Sequence, residues 1–110
     1  MYAIEKGMKK VNGREVMTFA RLIAEPQTEV TVEAGTTGYT GVESRGGGGR
    51  TYLRVLCAQG DICMEPITNA HGDMTGFVLA ASGDAGMDAI SKMLRFAGKA
   101  IDDKRCGFDG

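Results

Sequence analysis

The sequence predicts an α+β fold, an antiparallel sheet of about six strands covered on one face by a C-terminal helix. Extended runs with a two-residue period recur between Tyr2 and Ala81, outside a glycine-rich stretch at 35–50. Asn12-Gly13, Gly60-Asp61 and His71-Gly72 punctuate those runs with tight-turn chemistry. The clearest helical apolar spacing begins near Asp84.

The first element is a hairpin over Tyr2 to Ala24, broken at Asn12-Gly13, where both residues tolerate positive φ. A two-residue turn there sets Met8 opposite Met17, Lys6 opposite Phe19 and Lys10 opposite Glu15. Ile4, Met8, Met17, Phe19 and Ile23 then share one face. Glu29 to Ala34 alternates strictly, placing Val30, Val32 and Ala34 on one side of a half-buried strand.

Thr51 to Ala81 reads as a three-stranded meander. A turn at Gly60-Asp61 pairs Cys57 with Met64 and Val55 with Pro66; a turn at His71-Gly72 pairs Met64 with Leu79, Ile62 with Ala81 and Pro66 with Phe77. Both registers put Leu53, Val55, Cys57, Ile62, Met64, Phe77 and Leu79 on one face, an agreement that a one-residue slip would destroy. They also place Cys57 and Cys63 on opposite faces, which argues against a disulfide between them.

A helix is expected from Asp84 to Arg105, with Asp84 as N-cap, Lys104 and Arg105 at the negative end of the dipole, and Gly107 as the stop. Met87, Ile90, Met93, Leu94, Ala97 and Ile101 recur at helical spacing, with Asp88, Lys92, Arg95, Lys99 and Asp103 on the far side. At ~1.5 Å per residue it is about 33 Å long, enough to cross six strands spaced ~4.8 Å. It is the expected lid for the sheet. Met8, Met17, Met64, Met87 and Met93 are assigned to core faces.

The chain of 110 residues is read as one α+β domain over residues 1–110, with a glycine-rich loop at 35–50. Thirteen basic and fourteen acidic residues give a net charge of −1, which offers no general attraction to nucleic acid or membrane. Met1 to Glu5 has no apolar run, so a cytoplasmic protein is expected. Cys57, Cys63 and Cys106 form no CxxC pair and there is one histidine, so reduced structural thiols are expected, with no metal and no cofactor.

Gly35 to Arg50 is the segment most in need of a role, since long loops in small domains are usually functional or disordered. Its glycines would let backbone amides approach a phosphate, hydroxyls of Thr36, Thr37, Thr40 and Ser44 would donate, and Arg45 and Arg50 would supply charge. It is no P-loop, because Gly49-Arg50-Thr51 has Arg for Lys, Ser44 in place of the first glycine, and a strand afterwards. A dinucleotide fingerprint fails because no helix follows. Tyr39 and Tyr52, with Arg45, Arg50 and Arg54 nearby, form a thin version of a stacking clamp. A mobile linker and a protein-binding surface are the other two readings of this loop.

His71 falls at a hairpin tip, without a partner to position it as an acid or base. Cys57 reads as core filler, and no base stands near any thiol in the sequence. Asp61, Asp73 and Asp84 read as turn and cap formers. With no nucleophile–base pair and no metal cluster, an enzyme is not expected.

Gly35-Thr-Thr-Gly-Tyr-Thr-Gly, closed by Gly48-Gly-Arg-Thr-Tyr52, resembles small uncharacterised proteins encoded on bacterial phages and conjugative elements. The resemblance covers about residues 30 to 80 and implies a context rather than a chemistry. Accessory proteins of mobile elements often bind a host component, anti-defence factors among them. The expected function is therefore a non-enzymatic binding or interaction protein acting on a protein partner. Its expected site is Thr36, Thr37, Tyr39, Thr40, Arg45, Arg50, Tyr52 and Arg54. An anionic small ligand, a phosphate or nucleotide held at the loop, is the first alternative. A structural homo-oligomer formed through an exposed edge strand is the second.

Overall fold

The computed structural model describes residues 4–37, 49–59 and 62–102. Tyr39, Thr40 and Arg45, the Gly60-Asp61 turn and the expected helix end at Lys104 and Arg105 lie outside the described residues.

Six antiparallel strands and one helix follow in chain order: β1 (Glu5–Val11), β2 (Arg14–Glu25), β3 (Thr28–Thr36), β4 (Thr51–Gln59), β5 (Ile62–Thr68), β6 (Met74–Ala81) and α1 (Gly83–Asp102). They form a four-stranded sheet, β1-β2-β3-β4, and a separate two-stranded ribbon, β5–β6. The fold is α+β, as the periodicity predicts, with the strands divided four and two.

Turn chemistry explains the two hairpins of the main sheet. Asn12 and Gly13 both take positive φ, 47° and 81°, and Met8 stands opposite Met17 as expected. Pro26 and Gln27 close β2 onto β3, with Glu25 paired to Thr28. Gln27 adopts φ 61°, a left-handed conformation that a side chain adopts at some strain.

β4 pairs with β3, setting Val30 beside Cys57, Val32 beside Val55 and Ala34 beside Leu53. Among the described residues no ladder joins β4 to β5, so the strands of the expected meander are divided between the two sheets. Alternation in β4 is satisfied equally by either neighbour, and β3 supplies a matching apolar row. The β5–β6 ribbon keeps its expected register, with Ile62 opposite Ala81, Met64 opposite Leu79 and Pro66 opposite Phe77. Its tip is built by Asn69, whose side-chain oxygen accepts from the amides of His71 (2.8 Å) and Asp73 (3.1 Å). His71 is exposed there.

The helix covers β2 and β3 rather than crossing all six strands. Its start lies beside the β2–β3 turn, where Pro26, Gln27 and Thr28 face Ser82, Gly83 and Asp84. Gly83 turns the chain into the helix at φ 81°, so Asp84 sits within the first turn instead of capping it. Ala89, Met93, Phe96, Ala97 and Ala100 bury against Phe19, Ile23, Val30, Val32 and Ala34. Burying a side chain such as Phe96 or Met93 is worth roughly 1.5–3 kcal/mol. Gly86 is also buried, because a Cβ there would come within 2.7 Å of the Ala81 methyl.

Four of the five methionines assigned to the core are exposed: Met8, Met17, Met64 and Met87. Met93 alone of the five is buried. The lid is one helix wide and the core it builds on β2 begins at Phe19, so Met8, Met17 and Met64 lie outside it, and Met87 is on the outer side of the helix.

Candidate functional site

The ends of the glycine-rich segment are joined firmly. The Thr37 amide donates to the Arg50 carbonyl at 2.9 Å, and the Arg50 amide donates to the Thr37 hydroxyl at 2.9 Å. The Thr36 hydroxyl donates to the Arg50 carbonyl at 3.1 Å, which leaves the Thr51 hydroxyl as donor in their 2.9 Å contact. The guanidinium of Arg50 is turned inward, with Nε donating to the Val11 carbonyl at 3.1 Å and Nη2 to that of Asn12 at 3.4 Å. Thr36, Thr37 and Arg50 thus build the stem and tie it to the β1–β2 turn. Their donors point at protein carbonyls, where an anion cradle would have them converge on open space.

Tyr52 and Arg54 lie on the face of β4 opposite Leu53 and Val55, toward a curled part of the sheet. β2 and β3 pinch together at Gly35, where an added Cβ would lie 2.1 Å from the Met17 carbonyl oxygen. This approach leans the β1–β2 hairpin over β3 and β4. Lys9 of β1 consequently reaches across to Glu33 of β3 at 2.9 Å and sits 5.9 Å from the centroid of the Tyr52 ring. The fully buried Thr18 hydroxyl also donates to Glu33, at 2.5 Å. Burial alone would raise the Glu33 carboxyl. The Thr18 and Lys9 hydrogen bonds and the positive charges of Lys9 and Arg54 outweigh it, holding the group below its ordinary value. This cluster is internally satisfied, so it reads as a structural polar layer into which Tyr52 and Arg54 feed from the rim.

A second surface carries the exposed apolar residues. Leu53 and Val55 of β4, with Met64, Pro66, Met74 and Phe77 of the ribbon, line an open groove of ≈ 340 Å³. Met74 is 63% exposed, Leu53 53% and Phe77 49%. The neighbouring flank of α1 adds Met87 and Leu94, at 62% and 61%. At 100° per residue these two share a flank with Ile90, opposite the flank on which Lys92 pairs with Glu25 of β2. They therefore face the side of β4 and the ribbon. Alternation placed Leu53, Met64 and Phe77 on one face but could not show that nothing covers it. One sequence signal does mark the ribbon: Ile67 and Val78 make its other face apolar as well, and both are about half exposed.

Cys57 is half-buried beneath this region, and burial pushes its thiol up, away from nucleophilic chemistry. Cys63 is exposed and free. Among the described residues no three His, Cys, Asp or Glu side chains gather as metal ligands, and no helix is long and apolar enough to cross a membrane. No family model, curated protein or solved structure matches the chain, so its surfaces carry the functional argument alone.

Proposed function

We propose that this chain is a non-enzymatic protein-interaction module whose working surface is the uncovered apolar face of β4, the β5–β6 ribbon and the free flank of α1. The carrying observation is the concentration there of Leu53, Met74, Phe77, Met87 and Leu94, each about half exposed or more. Single-chain proteins in water rarely leave contiguous apolar patches larger than a few hundred Å². The occupant is a protein that brings a strand, because the groove runs beside the outer edge of β4, which has β3 on one side and, among the described residues, no ladder on the other. An interaction module of this kind fits an accessory protein of a mobile element, an anti-defence factor included, as the glycine-loop resemblance implies. A cytoplasmic location belongs to the same proposal and suits the free thiols of Cys57 and Cys63.

The test pairs wild type with a Leu53→Asp, Phe77→Asp double variant. Wild type should either bind bis-ANS as a monomer or bury the face in an assembly seen by light scattering. The double variant should do neither while keeping its helix signal in circular dichroism. A wild-type monomer blind to the dye would overturn the proposal, since the face would then be closed within its own chain.

A further inference from the structure

We infer that the partner is a second copy of this chain, docked by reciprocal exchange of the ribbon, so that β5 of each copy completes the free edge of β4 in the other. The inference rests on the interaction reading above and names its occupant.

The edges are complementary in pattern. Among the described residues β4 is bonded to β3 alone and β5 to β6 alone, so β4 presents a free acceptor edge and β5 a free donor edge, the outer edges of β1 and β6 being the other two. Pairing Cys57 with Met64 and Val55 with Pro66 extends the apolar row fixed by β3–β4 into the row fixed by β5–β6. On the opposite face, Arg54 comes diagonal to Glu65, within reach of a cross-strand ion pair. The result is a six-stranded sheet, β1-β2-β3-β4 of one copy followed by β5-β6 of the other. Pro66 has no N–H, so the new ladder lacks at most one bond.

This register has a symmetry that matters. Residue and partner exchange roles on inversion of the pair, so the same ladder forms as a hairpin within one chain or about a two-fold axis between two. β4 and β5 form no ladder within the chain among the described residues. Among the described residues of the ribbon all are exposed save Ile62, Gly76 and Leu79, which are half-buried. The base of the ribbon packs on the core through Ile62 and Leu79; a two-stranded ribbon is marginal on its own, so its outer part gains from another sheet to lie against.

A net charge of −1 per chain leaves little repulsion between copies.

The experiment is disulfide capture in the full chain carrying Met64→Cys, Cys63→Ser and Cys106→Ser, with Cys57 retained. Opposed positions of an antiparallel ladder lie about 4.5–5.5 Å apart at Cα, inside the range a disulfide spans. Wild type should have twice the 11.6 kDa chain mass by light scattering, and mild oxidation with oxidised glutathione should link the variant into covalent dimers on a non-reducing gel. Monomers with an internal bond would overturn both the exchange and the interaction reading. A monomeric wild type that binds bis-ANS and gives no covalent dimer would overturn the exchange while leaving the interaction reading standing. A dimer in which Cys57 stays unlinked would place the second copy elsewhere and likewise overturn the exchange.

Discussion

Replacing Gly35 by alanine should destabilise the protein by about 2–2.5 kcal/mol, and the figure follows from the close approach of β2 to β3. The added Cβ would stand 2.1 Å from the Met17 carbonyl oxygen, 2.9 Å from the Thr18 Cα and 3.0 Å from the Met17 carbonyl carbon. All three are backbone atoms, so no side chain can swing aside and β2 itself must retreat. That retreat would pull the buried Thr18 hydroxyl from Glu33 and loosen the end of the ladder at Phe19 and Ala34. Overpacking costs about 1–3 kcal/mol, and rigid backbone neighbours put this case at the upper end. The smaller entropy of the unfolded alanine chain returns about 0.4–1 kcal/mol. Gly98→Ala is the control, because a Cβ there meets nothing within 4 Å and the site is in α1. That variant should gain up to about 1 kcal/mol from helix propensity. Urea unfolding followed by circular dichroism at one fixed protein concentration reads both. A Gly35→Ala midpoint within about 0.5 kcal/mol of wild type would refute the pinch, and with it the account of how Lys9 reaches Glu33.

Two further outcomes test the curled end of the sheet. Glu33 has a lowered carboxyl pKa in the folded protein, so between that value and the unfolded one, about 4.3, the unfolded chain holds more protons. Its stabilisation is complete above the unfolded value and is lost as pH falls through the folded one; Glu33→Gln should flatten this acid limb in denaturation curves taken from pH 6 to pH 2, and an unchanged slope would count against the cluster. Arg50→Met removes the bonds to the Val11 and Asn12 carbonyls and should cost about 1–2 kcal/mol, with faster amide exchange at the β1–β2 turn. A neutral Arg50→Met would mean that the guanidinium is not committed to the stem, and would revive the anion-cradle reading.

What could be read from the chain follows from how local each cause is. The β1–β2 and β5–β6 registers were legible because turn residues a few positions away dictate them, and Met8–Met17 and Met64–Leu79 stand opposite each other as expected. The neighbour of β4 was not legible, because a period of two tells which face a residue takes and nothing about which strand lies beside it. Val16, Thr18 and Glu33 are buried on the face that alternation left to solvent. Their burial comes from the curl at Gly35, a contact between strands that no spacing encodes. Of the expected site, Thr36, Thr37 and Arg50 do converge, but on the loop stem. Tyr52 and Arg54 border a polar layer instead, and the apolar groove was hidden among residues assigned to a core.

The two outer strands of the main sheet treat their exposed edges in opposite ways, and the difference bears on the proposed dimer. β1 carries Glu5, Lys6, Lys9 and Lys10 in seven residues, and its hairpin leans over the sheet. Dense charge on an edge strand is how proteins discourage other strands from pairing there. β4 carries a single charge, Arg54, in nine residues, with Leu53 and Leu56 both about half exposed. It has neither proline nor lysine to blunt it. An edge left that apolar would recruit strands indiscriminately unless something covers it in the working protein. The strand best matched to cover it, in register and in charge, is β5, which among the described residues makes no ladder with β4 within this chain. On the proposed exchange the protection of β4 comes from a second copy, with no further partner required.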